Sequence, residues 1–431
     1  MIMPEAPLHL PQAAATAAAR DELPLTGVRV VDFSWIVAGP QATRILADFG
    51  ADVIRVEYAG RLDSIRIGMV APDAPSGSVD ASGFFNNFNR NKRSVTLNLA
   101  DPAGRVAIER LIAVADVVIE NFSARVMEEK GLSYARMAAI NPAIIYISVS
   151  GFGHRGRDAE YITWGPTAQA VSGLTLMSGL PDHAPAGWGY SYLDHSAGYY
   201  AALAILIALY HRNRSGHGQY IDLSQIETGM VQAGPQILDR SVNGRSYRRP
   251  GNPPGNRSSY PAIAPHNTYP CRGDDRWIAI ACEDDAQWQA LVEVMERPAW
   301  ALEARFATNT ARVANQDALD ERIATWTRGF DAHDLMLLLQ ARGVPAGAVQ
   351  TAAEIQERDP QLRARGFFVE ADHPVLGRHR FEGVPFRMSR SRWRVARGAP
   401  LLGEHNAAVL GDLLGYSAES VCDLTLEAAA R

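Results

Sequence analysis

Between residues 28 and 148, short apolar, β-branched runs alternate with helical segments, and this alternation most narrows what the chain can fold into. Val28-Arg29-Val30-Val31-Asp32-Phe33 reads as a buried strand, residues 41–49 as a helix closed by Gly50, and residues 51–57 as the next strand. A second unit follows: a strand over 94–99, a helix over 103–114 with Asp101 as its N-cap and Pro102 in its first turn, and a returning strand over 116–120. Residues 144–148 add another strand. Strands that return in one direction across a helix lie parallel, with helices on both faces, so a Rossmann-like α/β domain is expected. Ligands of such sheets bind beyond the carboxyl ends of the strands, here the loops 34–40, 120–122 and 150–156.

At 431 residues the chain exceeds one ordinary core. The expected organisation is a loose tail over 1–23, the N-terminal part of the large domain over 24–225, a linker and smaller α+β domain over 226–340, and a linker with the C-terminal part of the large domain over 341–431. The loop-like stretch 242–265 is dense in Gly, Pro, Asn and Arg; a strand pair follows at 267–271 and 277–281, then helices at 285–295, 317–328 and 331–342. The N-terminal stretch has no basic segment followed by an apolar run, so it is not read as a signal peptide. The most apolar run, 197–209, is below the roughly 18 residues that raise a membrane span, and reads as a buried helix. A net charge of −5 gives no reason to expect nucleic-acid binding. Cys271, Cys282 and Cys422 form no CxxC pair and no zinc spacing, so they are read as reduced thiols of a cytoplasmic protein without a metal site.

The chemistry is expected around Gly187-Trp188-Gly189-Tyr190-Ser191-Tyr192-Leu193-Asp194-His195-Ser196-Ala197-Gly198, which runs into an apolar helix over 199–210. Asp194 lies where a glycine-rich loop meets helix-start amides; it is either a simple cap or a carboxylate oriented for chemistry. The aromatic residues Trp188, Tyr190, Tyr192, Tyr199 and Tyr200 either line an acyl pocket or pack at an interface. Gly151-Phe152-Gly153-His154-Arg155-Gly156 matches GxGxxG, but residues 157–164 lack helical periodicity and Pro166 interrupts them, so NAD or FAD binding is not expected. The basic stretch 211–218 reads either as the C-cap of the long helix, the commoner role, or as a phosphate contact.

Taken together, several stretches resemble the class III CoA transferases of the CaiB–BaiF type, which include formyl-CoA transferase and the 2-methylacyl-CoA racemases. They include Val31-Asp32-Phe33-Ser34, Ala38-Gly39-Pro40, residues 46–57, Asn89-Arg90-Asn91-Lys92-Arg93-Ser94, Glu120-Asn121-Phe122, Asp194-His195-Ser196-Ala197-Gly198 and Gly343-Val344-Pro345-Ala346-Gly347. Their order holds from about residue 27 to about residue 410.

The resemblance implies that Asp194, in its D-x-x-x-G element, is a nucleophile that attacks an acyl-CoA thioester to form a mixed anhydride, with a carboxylic acid as acceptor. Helix-start amides and the glycines near 187–189 are candidates for oxyanion donors. It further implies CoA contacts at Val37 and Ala38 near the pantetheine, and at Leu97, Asn121 and Phe122 around the adenine and ribose. Arg55 is read either as facing the phosphates or as a surface residue at a charged strand end. Where formyl-CoA transferase has an arginine after the Asn–Phe pair, this chain has Glu129 followed by Lys130, and Lys130 is the remaining candidate cation there. Gly165 stands where formyl-CoA transferase has a glutamate, and Trp164-Gly165 where the racemases have a His–Asp dipeptide. A racemase is therefore the alternative activity, with His195 as its only neighbouring base; a CoA-binding subunit of a heteromeric transferase is the other alternative. Family members are interlocked homodimers, and a homodimer is expected here.

Overall fold

The structure, a computed structural model, describes residues 22–72, 74, 75, 77–180 and 182–429. Apart from Glu22 and Leu23, the expected tail lies outside the described residues. The described residues form two compact units: one holds those up to 172, 190–232 and those from 366 on, the other those within 173–189 and 233–365.

The first unit is built on six strands, β1 Arg29–Asp32, β2 Asp52–Glu57, β3 Arg93–Thr96, β4 Val117–Glu120, β5 Ile145–Ser150 and β6 Gln219–Ser224, in the order β3-β2-β1-β4-β5-β6. Every pairing is parallel; Val30, for instance, lies between Val53 of β2 and Val117 of β4. Neighbouring residues of one strand enter opposite cores, as the period of two requires. Val31, Ile54 and Val118 pack with Ala107, Ile108, Leu111 and Ile112 of the helix Pro102–Ala113. Val30, Val53, Val117, Ile145 and Ile147 pack instead with Ala42 and Leu46 of α1, Ala38–Asp48, and with Ala197, Ala201 and Ile205 of the helix Tyr192–Ser215. Asp101 caps its helix as expected, accepting from the Gly104 amide at 2.8 Å.

The helix expected over 199–210 spans Tyr192–Ser215, so Asp194 lies inside its first turn and Ser191 takes the N-cap position. Its C-terminal end is closed by Gly216 at φ +77°, while Arg212 pairs with Asp116 at 2.7 Å and Arg214 donates to the Tyr210 hydroxyl at 3.0 Å, so these arginines bond to side chains and not to the last helical carbonyls.

Residues from about Gly366 onward complete the first unit. The hairpin Phe368–His373/Gly377–Glu382 brings Glu382 to Arg44 and His379 to Asn86, the latter at 2.8 Å. Further on, Asn406 Oδ1 accepts from the Thr96 amide at 2.8 Å and the His405 amide donates to Ser94 O at 2.9 Å, so residues 403–406 lie along the outer edge of β3.

The second unit holds a three-stranded antiparallel sheet, His266–Pro270, Trp277–Ala281 and Ala346–Ala348, backed by the helices Asp285–Val294, Gln316–Thr327 and Ala332–Gln340. Tyr269, Ile278, Ile280, Trp288, Leu291, Leu319 and Leu335 form its core. No helix of the described residues is long and apolar enough to cross a membrane.

Candidate active site

The strand order reverses between β1 and β4, and a cavity of the first unit opens beyond their carboxyl ends, where open α/β sheets place ligands. Val37, Ala38, Asn121, Phe122 and Asp194 all line it.

The loop after β1 is held from several sides. The Trp35 amide donates to Asn121 Oδ1 at 2.7 Å, and Asn121 Nδ2 donates back to Trp35 O at 2.8 Å. The Ile36 amide donates to Asp63 at 3.0 Å, and Ile36 adopts φ +63°, a costly conformation for a β-branched residue that these bonds sustain. The turn carrying Phe122 is fixed from beneath by buried Glu120, which accepts from the Phe122 amide at 2.7 Å and from the Tyr146 hydroxyl at 3.1 Å. Burial pushes the Glu120 carboxyl above its ordinary range despite these donors and nearby His154.

Asp194 reaches the same cavity because its helix lies against α1. A Cβ at Gly198 would stand 2.6 Å from Gln41 side-chain carbons and 2.8 Å from Ala38 O. Only glycine permits that approach, one turn after the carboxylate, which gives the D-x-x-x-G spacing a packing reason. Gly165 plays the matching part opposite: a Cβ there would sit 2.8 Å from Asp194 Oδ2 and from Ser191 Cβ. Asp194 Oδ1 accepts from Gln225 Nε2 at 2.7 Å. Burial raises the carboxyl above its usual range, while Gln225, Ser191 and the neighbouring His195 pull it back. At neutral pH an anion in the first turn of a helix is further favoured by the helix dipole.

The other three expected CoA contacts do not line this cavity. Arg55 is 1% exposed and points into the interior, not to the surface: its guanidinium donates to Asp63 at 2.6 Å, to Ser34 O at 2.8 Å and to Asn89 at 3.1 Å, with Glu57 at 3.4 Å. It supports the cavity loop from below. Leu97, also 1% exposed, packs in the apolar core with Val56 and Val95. Lys130 is exposed at the end of the short helix Val126–Glu129 and does not line the cavity. The signature Asn89–Ser94 likewise serves the interior: Lys92 Nζ lies 3.0 Å from Asp32, and Arg90 pairs with Asp48 at 2.6 Å.

Of the GxGxxG glycines, Gly151 serves packing, and Gly153 and Gly156 hold positive φ in the turn. A Cβ at Gly151 would stand 1.8 Å from Thr163 Oγ1, and the turn beyond is tied to β6 by the His154 amide donating to Asp222 at 2.7 Å. The His195 ring packs edge-on to Phe88 and Tyr190, its Nδ1 2.9 Å from Ser191 O, and it does not line the cavity. Gln225 and the exposed wall Tyr161 were not anticipated, and Trp164, singled out only as replacing the racemase histidine, is an exposed wall as well. A signal for Gln225 existed: it is the first residue after β6, at the carboxyl end of a strand.

Residues 25–406 match the model of CoA-transferase family III. The chain belongs to that family. Among family III relatives, the succinyl-CoA–D-citramalate CoA-transferase of Chloroflexus aurantiacus is 35% identical over 94% of this chain and 98% of its own length. The succinate–glutarate CoA-transferase of Agrobacterium fabrum is 34% identical over 90% and 96%. The crystal structure of a CaiB/BaiF family protein from Brucella suis superposes with a TM-score of 0.82 at 34% identity, covering 91% of this chain and all of that one.

Proposed function

We propose that the protein moves CoA from an acyl-CoA donor to a carboxylic acid through covalent intermediates on Asp194. The observation that carries this reading is the Asp194 carboxylate itself, with one oxygen bonded to Gln225 and the other beside Gly165 in the cavity at the strand-order reversal. Oδ2 adds to the donor thioester carbonyl, and collapse of the adduct expels CoA thiolate and leaves a mixed anhydride. The thiolate then adds to Cγ of Asp194 and expels the donor acid, storing CoA as an aspartyl thioester. The acceptor carboxylate adds to Cγ, releases the thiolate and forms a second anhydride. Addition of the thiolate to the acceptor's acyl carbonyl yields the new acyl-CoA and returns Asp194 as a carboxylate. Each hard step becomes two easier ones, and no proton has to be removed from the nucleophile at neutral pH.

Val37 and Ala38 are proposed to flank the pantetheine, and Asn121 and Phe122 to contact CoA beyond it. The names of the relatives make succinyl-CoA the first donor to try, with citramalate and glutarate as acceptors. The test is incubation of the purified protein alone with succinyl-CoA, glutaryl-CoA and formyl-CoA in the presence of hydroxylamine. Mass spectrometry is expected to find a hydroxamate on the peptide containing Asp194. α-Proton exchange with deuterium and no adduct would instead make the protein a racemase; silence in both, relieved by a second protein, would make it a transferase subunit.

We place the protein in the cytoplasm, where acyl-CoA thioesters and free thiols such as Cys271, Cys282 and Cys422 coexist. We further propose a homodimer, interlocked as in the family. Tyr199, Leu203, Leu206 and Tyr210 are exposed at alternating spacings of four and three along the helix Tyr192–Ser215, a continuous apolar seam opposite the face that packs on the sheet. Light scattering is expected to give twice the chain mass, and Leu203→Glu with Leu206→Glu to lower the dimer fraction at least tenfold at micromolar concentration.

A further inference from the structure

Resting on the Asp194 reading, we infer that Gln225 is a catalytic residue that stabilises the oxyanion formed on Asp194 itself. Two of the four additions proposed above occur at Cγ of Asp194: thiolate adding to the first anhydride, and acceptor carboxylate adding to the aspartyl thioester. In both, the carbonyl electron pair moves onto the aspartyl oxygen that is not in the bond to be broken. Oδ2, beside Gly165 and not held by Gln225, is taken to form the acyl bond, so that oxygen is Oδ1. Gln225 Nε2 is 2.7 Å from it.

The amide must present its NH2 to this oxygen, because a carboxylate accepts and does not donate. Gln225 is only 7% exposed and lines the cavity. Its backbone is anchored around Gly151: the Ile226 amide donates to Gly151 O at 3.0 Å, as does the Ser224 hydroxyl, also at 3.0 Å. The Glu227 amide donates to Ser224 Oγ at 3.2 Å. A donor fixed in this way is oriented before charge develops, the condition under which such donors act most strongly.

The donor stabilises the resting carboxylate as well, but the two outer additions place their oxyanions on substrate oxygens, away from Gln225. Removing the amide is therefore expected to slow the two inner additions selectively. Electron pairs balance without an added base: as each inner adduct collapses, the pair on Oδ1 restores the carbonyl and either the donor carboxylate or the thiolate departs.

The experiment compares wild type with Gln225→Met, which keeps the volume and lacks the donor, and with Gln225→Glu. The donor is the acyl-CoA that labels Asp194 in the hydroxylamine experiment. Rapid mixing with a thiol reagent measures the first release of CoA, and steady-state assay measures complete transfer. For Gln225→Met the first release is expected to stay within about threefold of wild type while transfer falls about 10²–10³-fold, the usual cost of one oxyanion donor. For Gln225→Glu, transfer is expected to rise as pH falls toward the carboxyl's pKa, because only the protonated acid donates; wild type changes in the opposite sense. Transfer within about twofold of wild type in Gln225→Met, or equal loss of release and transfer, overturns the inference while leaving Asp194 in place. A wild-type protein with neither thiol release nor an Asp194 adduct overturns the underlying reading, and this one with it.

Discussion

Asp194→Asn is expected to lose CoA transfer by about 10³-fold or more while melting at or above the wild-type temperature. The loss follows from removing the nucleophile: an amide oxygen cannot form the anhydride, and residual turnover would come from binding alone. The stability follows from burial, which raises the Asp194 carboxyl in the folded protein. A raised carboxyl means the folded chain binds its proton more tightly than the unfolded chain. Ionised Asp194 therefore costs stability above its folded pKa, and the neutral amide removes that cost. The sign for activity is the reverse. Wild-type transfer requires the anion, so it declines as pH falls through this raised pKa, above the range of an ordinary aspartate. Calorimetry of both proteins, with a pH profile of the wild type, checks the two signs together.

Arg55→Met is expected to destabilise the first unit by about 3–5 kcal/mol, the usual cost of leaving one partner of a buried ion pair alone. Glu57 retains Arg66, whose guanidinium lies 2.7 Å away, but Asp63 loses its only ion-pair partner among the described residues. The cavity loop also loses the bond from Arg55 to Ser34 O, so transfer is expected to fall at temperatures where the protein is still folded. Urea unfolding together with kinetics distinguishes this from a phosphate contact, for which KM for the acyl-CoA would rise and stability would not change.

The contrast around Arg55 shows where reading the chain succeeded and where it failed. The strands β1, β2, β4 and β5 were legible because both of their faces are buried, so the runs are apolar throughout, and Asp101 was legible because capping is local. Val37, Ala38, Asn121 and Phe122 converge because they follow neighbouring strand ends of a parallel sheet, and Asp194 joins them because its helix packs on α1. The role of Arg55 was hidden because its partners Asp63 and Asn89 lie outside its strand, and an arginine between apolar neighbours looks alike whether it reaches solvent or a buried acid. The helix start was misplaced because Tyr192-Leu193-Asp194-His195-Ser196 holds few strong helix formers; packing of Leu193, Ala197 and Gly198 overrides that weak local preference. Gln225 was missed because its one signal, a place at the carboxyl end of β6, does not single it out until the carboxylate it faces is in place.

The closure of β3 by residues 403–406 has a consequence for biosynthesis. Thr96 and Asn406 are separated by 310 residues, and Arg44 and Glu382 by 338. At about 5–20 residues per second, a ribosome needs roughly 15–70 s to cover such an interval. Throughout that time the emerging sheet has an open edge and an arginine waiting for its carboxylate. The domain that is translated first is thus the last to be finished, and the cell must shield its edge strand until the chain is released.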